Sequence, residues 1–434
     1  MRYSLSLLIY RVVLLLLLPV IILLLIIRSI NHPAYRHRLT ERLGFVSSAF
    51  KKHGVVIHAA SVGEVIAIKA FVEQLIKAQP DLPITLTTFT PTGSAQVKKI
   101  FHGKVQHCYL PLDVFPCTWL FLKSLAPKAV VLMETELWPN FIAQCQSRAI
   151  KLLLINARLS NKSMKDYRKL SWLITPCLQR FDHILAQSDD NQQNFLTLGA
   201  KPSQCQVSGN LKFDLHISDE VSQKQQMLAE FILPPRKTWL VASTHPNDEE
   251  LILSCFTQLK LQHPDLLLIL VPRHPERFDS VDKLCQLCGF STVRRSQQAP
   301  VTASDDIWLI DTLGELLATC GLADVVTMGG SFSHIGGHNP LEPALFKKPI
   351  IVGHDMSNFN KVMQQMRAQQ AIVQLATDQQ SSKEDISSAL FDAINELLLK
   401  PEQQKFYGDN AYQVVHVNQG ASQFSTNYLL NNLL

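Results

Sequence analysis

The sequence predicts an α/β protein, two doubly wound parallel-sheet domains preceded by an N-terminal membrane helix. Three observations lead there. The 434 residues exceed a single domain of about 100–200 residues. Short apolar runs alternate with amphipathic helical patterns along nearly all of the chain, the signature of a parallel sheet covered on both faces. From Val12 to Ile27 the chain is apolar throughout apart from Pro19.

That apolar run extends upstream from Leu5 to Tyr10 across Arg11, which brings it within the roughly 17–25 residues of a spanning helix. No small-x-small cleavage site follows, since Ser29-Ile30-Asn31-His32-Pro33 comes next, so residues 1–30 read as an uncleaved anchor. Docking at the membrane interface is the other arrangement open to it. Arg28, Arg36, Arg38 and Arg42 follow the run, against Arg2 and Arg11 before it, and the positive-inside rule then puts the remainder in the cytoplasm. Nine cysteines scattered through apolar segments agree with a reducing compartment. Cys285 and Cys288 form a lone CxxC without the second ligand pair of a zinc site. The net charge of +5 is spread out, with no aromatic-basic stacking motif, which argues against nucleic acid as a partner.

After the anchor, residues 55–57, 84–89, 105–110, 129–133, 152–155 and 183–186 read as strands of a first sheet, in a domain over 31–215. A polar stretch from Gly209 to Gln226 supplies the linker. Residues 239–242, 266–271, 307–310, 324–328 and 349–352 then read as strands of a second sheet, in a domain over 216–405. The last segment, 406–434, is expected to pack back on the first domain. Ligands of open α/β sheets lie beyond the carboxyl ends of the strands, so two such domains are expected to face a cleft between their loops.

The first strand runs into His58-Ala59-Ala60-Ser61-Val62-Gly63-Glu64, which breaks on Ser61 and Gly63 and delivers a carboxylate to a first helical turn. Glu64 there is either a helix-terminal acid, favoured by the macrodipole, or a catalytic group. A second loop, Glu134-Thr135-Glu136-Leu137-Trp138-Pro139-Asn140, ends a buried strand with Glu134 nearest the strand end. Arg158 ends the next strand, as a carboxylate or phosphate contact or as a surface arginine. In the second domain Pro272-Arg273-His274-Pro275-Glu276-Arg277 forms a candidate anion site at a strand end, or else a solvated turn. His274, His334 and His338 are too irregular in spacing for a metal site and read as loop residues.

The densest loop is Met328-Gly329-Gly330-Ser331-Phe332-Ser333-His334-Ile335-Gly336-Gly337-His338-Asn339-Pro340-Leu341-Glu342. Its glycines let backbone N–H groups approach a phosphate, and a helix is expected from about Asn339 with Pro340 in the first turn. Glu342 is suited to accept hydrogen bonds from ribose hydroxyls. Neither GxGxxG nor GxxxxGK[ST] occurs there.

Taken together, the anchor, the His58–Glu64 loop, Glu134-Thr135-Glu136-Leu137-Trp138-Pro139-Asn140, Pro272–Arg277, Gly314-Glu315-Leu316 and Gly336–Ala344 resemble the lipid A Kdo transferases, where Kdo is 3-deoxy-D-manno-octulosonic acid. The resemblance covers nearly the whole chain in the same order. It implies the GT-B architecture, two Rossmann-like domains, and transfer of Kdo from CMP-Kdo to a lipid A precursor at the inner membrane of Gram-negative bacteria. It implies Glu64 as the general base for the acceptor hydroxyl. It also implies a CMP site made by Pro272 and Arg273, by Leu313, Gly314 and Glu315, and by Asn339, Pro340, Leu341 and Glu342. Ser61, Gly63, Glu134 and Arg158 would border the substrates. Neither a cofactor nor a metal is expected, as no Asp-x-Asp appears in the loops. A GT-B enzyme using a UDP-sugar and an inactive GT-B scaffold are the competing expectations.

Overall fold

A computed structural model of the chain describes residues 2–31 and 33–434. It divides into two compact units, Met1–Asp214 with Asn418–Leu434, and Leu215–Val417.

The first unit holds β1 (Val55–His58), β2 (Ile84–Thr88), β3 (Gln106–Tyr109), β4 (Ala129–Met133), β5 (Lys151–Ala157), β6 (His183–Ala186) and β7 (Cys205–Val207). They form one parallel sheet in the order β3-β2-β1-β4-β5-β6-β7. Residues of β1 alternate between two apolar cores: Val55 and Ile57 join one with Phe71, Leu75 and Leu86, and Val56 joins the other with Phe121, Val130 and Leu154. Burial on both faces is why these strands read as unbroken apolar runs. The helix Ala421–Asn432 packs on Lys69–Ala78 of this unit, and Tyr428 stacks on His183 with ring centroids 4.3 Å apart.

The second unit holds β8 (Thr238–Thr244), β9 (Leu267–Pro272), β10 (Thr292–Arg294), β11 (Ile307–Leu309), β12 (Val325–Met328), β13 (Ile350–Val352) and β14 (Val373–Gln374), again all parallel, in the order β10-β11-β9-β8-β12-β13-β14. Both sheets are therefore doubly wound, as the sequence predicts. Strands β7, β10 and β14 are additions to the expected set, each short and each at a sheet edge.

In both sheets the strand order reverses direction at one place. In the first it lies between β1 and β4, where His58 pairs with Leu132, and in the second between β8 and β12, where Ala242 pairs with Met328. A crevice opens beyond the carboxyl ends of strands at such a reversal.

The N-terminal helix Arg2–Asn31 contains an apolar stretch, Leu5–Ile27, long enough to cross a membrane by length and composition. Its Leu14, Leu18 and Ile21 pack against Leu112, Val114 and Cys117 of the first unit, and Tyr10 donates to Asp113 Oδ2 at 2.9 Å. The opposite face, including Leu16, Leu23 and Leu24, is exposed. The side chains of Arg2 and Arg28, two of the arginines flanking the apolar run, lie outside the described residues.

Candidate functional site

Each unit carries its candidate residues at its own switch point. In the first, Ser61 caps the short helix Val62–Ala67, and the Glu64 amide donates back to Ser61 Oγ at 3.4 Å. The Glu64 side chain turns back over the same turn, accepting from Ser61 Oγ at 2.8 Å on Oε1 and from the Ala60 amide at 2.9 Å on Oε2. Burial pushes its pKa above the usual glutamate value. The bonds from Ser61 and Ala60 pull it back, and negative charge on Glu134 and Glu136 adds to the rise. The macrodipole does not reverse this direction, since a six-residue helix has little of one. Gly63 is exposed on the same turn.

Glu134, at the end of β4, holds a left-handed backbone with φ of 52°. Such a conformation costs a residue other than glycine about 1–2 kcal/mol. Two backbone bonds hold it there, from the Glu134 amide to Ile155 O at 3.1 Å and from the Arg158 amide to Glu134 O at 3.2 Å. The ends of β4 and β5 are thereby clasped together, and the Arg158 side chain is exposed beside them.

Glu136 serves the frame instead. Its Oε2 accepts from Trp138 Nε1 at 2.8 Å and stands 3.7 Å from Nε2 of His58, which is fully buried. Nδ1 of His58 is 3.0 Å from Thr87 Oγ1. Burial acts upward on the Glu136 pKa, but His58 and Trp138 outweigh it and the value falls below normal. Pattern reading had left His58 without a role, although it is the last residue of the strand that leads to Glu64.

In the second unit three loops converge, those after β8, β9 and β12. Asp248, 1% exposed, joins two of them, its Oδ2 accepting from the amides of His245 at 2.9 Å and Gly330 at 2.7 Å. Burial raises its pKa to about 6. His338, read from sequence as a loop residue, places Nε2 2.8 Å from His245 Nε2. His245 was missed because it precedes a helix without a recognisable motif; its place at the end of β8 was the available signal.

Arg273 leaves β9 with its amide bonded to Thr244 O at 3.0 Å. Its positive charge acts on His338 and Glu342. Burial pushes the Glu342 pKa up, against the Asn339 hydrogen bond and Arg273. Asn339 Nδ2 donates to Glu342 Oε1 at 3.4 Å, while Asn339 Oδ1 accepts from the Leu341 amide at 3.2 Å. The helix expected from Asn339 is a single turn, Leu341–Ala344, preceded by Pro340. Pro343 cannot extend the amide ladder, and the dipole of one turn is small, so charge for an anion comes from side chains.

Two of the expected ligand contacts are spent inside the protein. Arg277 donates to both oxygens of buried Glu249, at 2.6 and 3.2 Å. Glu315, 7% exposed, faces Arg295, whose Nη2 donates to Oε1 at 3.3 Å, and Thr312 Oγ1 donates to Oε2. The side chain of Glu315 thus braces the loop, leaving Leu313 and Gly314 as its open part. Leu313 is 64% exposed and Gly314 has φ of 85°. Pro272 is the last residue of β9. Among the described residues no group of three His, Cys, Asp or Glu side chains is arranged to hold a metal ion.

A family of 3-deoxy-D-manno-octulosonic-acid transferases (kdotransferases) matches residues 37–215. The 3-deoxy-D-manno-octulosonic acid transferase of Haemophilus influenzae is 39% identical over 397 residues, 91% of each chain. A crystal structure of the C-terminal CMP-Kdo binding domain of WaaA from Acinetobacter baumannii is 31% identical, covering 45% of this chain and 97% of that one with a TM-score of 0.41. UDP-GlcNAc 2-epimerase from Neisseria meningitidis superposes with a TM-score of 0.58 at 15% identity, over 87% of this chain and 100% of that one, a likeness of fold alone.

Proposed function

The chain belongs to the 3-deoxy-D-manno-octulosonic acid transferase family and is a glycosyltransferase of GT-B-like fold, and from that premise we propose the donor, the acceptor and the base. The donor is CMP-Kdo and the acceptor a lipid A precursor, lipid IVA. Glu64 is the general base. One observation carries the assignment: Glu64 is a part-buried carboxylate at the first unit's switch point, held by Ser61 and Ala60 and raised in pKa by burial. A raised pKa increases the proton affinity of the carboxylate, which is what a general base requires.

In the reaction the acceptor hydroxyl oxygen forms a bond to the anomeric carbon of Kdo. The bond from that carbon to the phosphate oxygen breaks, CMP leaves with the electron pair, and Glu64 takes the hydroxyl proton. Pro272, Arg273, Leu313, Gly314, the backbone of Glu315 and Asn339-Pro340-Leu341-Glu342 hold the nucleotide. Arg273 faces its phosphate, Glu342 its ribose, and exposed Leu313 offers an apolar face to the base. Ser61, Gly63, Glu134 and Arg158 border the transferred sugar and the acceptor. The exposed apolar face of Arg2–Asn31 holds the enzyme at the inner membrane, with both units on the cytoplasmic side where the acceptor lies.

The test is transfer from CMP-Kdo to tetraacylated lipid A precursor in detergent with EDTA, wild type beside Glu64→Gln. Loss of turnover by roughly 10²–10⁴ with CMP binding retained supports the base. Turnover retained by Glu64→Gln removes that role, and a wild type inert with CMP-Kdo but active with a UDP-sugar removes the donor.

A further inference from the structure

A cavity of about 600 Å³ opens on the first unit between the N-terminal helix and the helices Phe115–Leu125 and Pro139–Ser147. Its walls bring together Leu7, Arg11, Phe115, Trp119, Arg148 and Arg180, and among the described residues that line it none is acidic. The three arginines are half-buried. Arg11 Nε donates to Asn140 Oδ1 at 2.8 Å, and its guanidinium carbon lies 4.6 Å from the centroid of the Phe115 ring. Arg180 gives Nη1 to Pro176 O at 2.8 Å, while its Nε is buried with no hydrogen-bond partner. Both terminal nitrogens of Arg148 reach Trp119 O only at 3.4 Å, longer than the roughly 2.7–3.2 Å of a good N–H···O bond. Lys123 Nζ adds a fourth cation, 4.8 Å from the centroid of the Trp119 ring. Asp113, whose charge acts on Arg11, is buried and already accepts from Tyr10 and from the Asn140 and Phe141 amides.

The N-terminal helix runs along the first unit, with Leu7 at the cavity, Tyr10 and Arg11 bonded to Asp113 and Asn140, and Leu14, Leu18 and Ile21 packed further along. Its other face, with Leu8, Val12 and Leu15, is exposed, so lipid covering that face lies beside the cavity. Arg148 and Arg180 come just before β5 and β6, at the amino edge of the sheet, whereas Glu64, Glu134 and Arg158 follow strands at its carboxyl edge. The cavity is therefore separate from the proposed acceptor site. A guanidinium fork matches phosphate oxygens in bidentate fashion, and partly buried cations without a counter-charge are costly until an anion arrives. A bare phosphate would satisfy the arginines but leave the apolar wall of Leu7, Phe115 and Trp119 uncovered, whereas a phospholipid supplies both the charge and the hydrocarbon.

We propose that Arg11, Arg148 and Arg180 hold the phosphate of an anionic membrane phospholipid, whose acyl chains cover Leu7, Phe115 and Trp119 and continue along the exposed face of the N-terminal helix. The site fixes how the first unit sits on an anionic leaflet and takes no part in the transfer itself.

The test titrates the full-length protein in detergent with short-chain phosphatidylglycerol and with phosphatidylcholine of the same chain length, and adds inorganic phosphate as a competitor. The wild type is expected to bind phosphatidylglycerol about tenfold or more tightly than phosphatidylcholine, since each arginine beside an anionic lipid is worth about fivefold. Arg148→Gln and Arg180→Gln are each expected to lose about fivefold of that preference, with phosphatidylcholine binding and Kdo transfer in detergent unchanged. Equal wild-type affinity for the two lipids overturns the site and needs no variant to do so, as does a preference that survives in both variants. Inorganic phosphate that displaces phosphatidylglycerol at equal concentration shows that the cavity takes a bare anion and overturns the lipid. Variants that raise KM for the lipid A precursor without weakening phosphatidylglycerol binding give these arginines to the acceptor, which also overturns the proposal. None of these outcomes bears on the donor or on Glu64, so the reaction proposed above stands or falls separately.

Discussion

The hydroxyl of Ser61 donates to Oε1 of Glu64 at 2.8 Å while its oxygen accepts the Glu64 amide at 3.4 Å, so one serine caps the helix and holds the proposed base. A hydrogen bond to the ionised carboxylate lowers its pKa. Ser61→Ala should therefore raise the Glu64 pKa further and move the acid limb of the kcat/KM profile to higher pH. Loss of the cap should also cost about 1 kcal/mol of stability. A pH–rate profile with an unmoved acid limb would argue that Glu64 is not the titrating base.

Glu136→Gln should shift the same limb the opposite way, because the charge on Glu136 helps raise the Glu64 pKa. It should also change stability against pH. The folded pKa of Glu136 is depressed, so its contribution is present above the unfolded value and lost as pH falls through the folded one. Thermal melts taken from neutral pH down through the carboxylate range should show the wild type losing stability that the variant does not. At neutral pH the variant should be weaker by about 1–3 kcal/mol, as Trp138 Nε1 loses its charged acceptor and His58 a negative charge 3.7 Å away.

Asp248 has the reverse sign. Its folded pKa, raised from 3.8 to about 6, means the folded protein binds the more protons between those values. Its share of stability therefore declines as pH rises through that window and is flat above it. Asp248→Asn keeps an oxygen to accept the His245 and Gly330 amides but no longer titrates. Denaturant midpoints measured across the window should lose this slope, and a variant with the wild-type slope would contradict the assignment.

Gly337 has φ of 70°, and a Cβ there would stand 2.1 Å from Met356 Sδ. Gly337→Ala adds a left-handed backbone cost of about 1–2 kcal/mol to that collision. Because the strain sits in the loop carrying His338 and Asn339, CMP affinity should fall by about tenfold or more. Titration with CMP checks this, and an unchanged affinity would take the loop out of the donor site.

Much of the fold was legible because strands such as β1, β4, β8 and β9 are buried on both faces and so appear as continuous apolar runs. The missing strands, β7, β10 and β14, are edges of two or three residues with polar members such as Gln206, Thr292 and Gln374. Stretches that short show no period. Glu64, Glu134, Arg273 and Glu342 are proposed from their place at strand ends, whereas the structure shows the carboxylate of Glu315 and the guanidinium of Arg277 held by internal partners.

By itself the sequence determined the two doubly wound sheets, the apolar N-terminal helix and the loops where polar chemistry collects. All of these follow from local periodicity and from where strands end. Only the tertiary structure decided which loops meet: Glu64 with Glu134 and Glu136 at one switch point, and His245 with His338, 93 residues along the chain, at the other. Strand order depends on pairing between distant segments, and the charge state of a carboxylate or imidazole depends on how much water and which charges that pairing leaves around it.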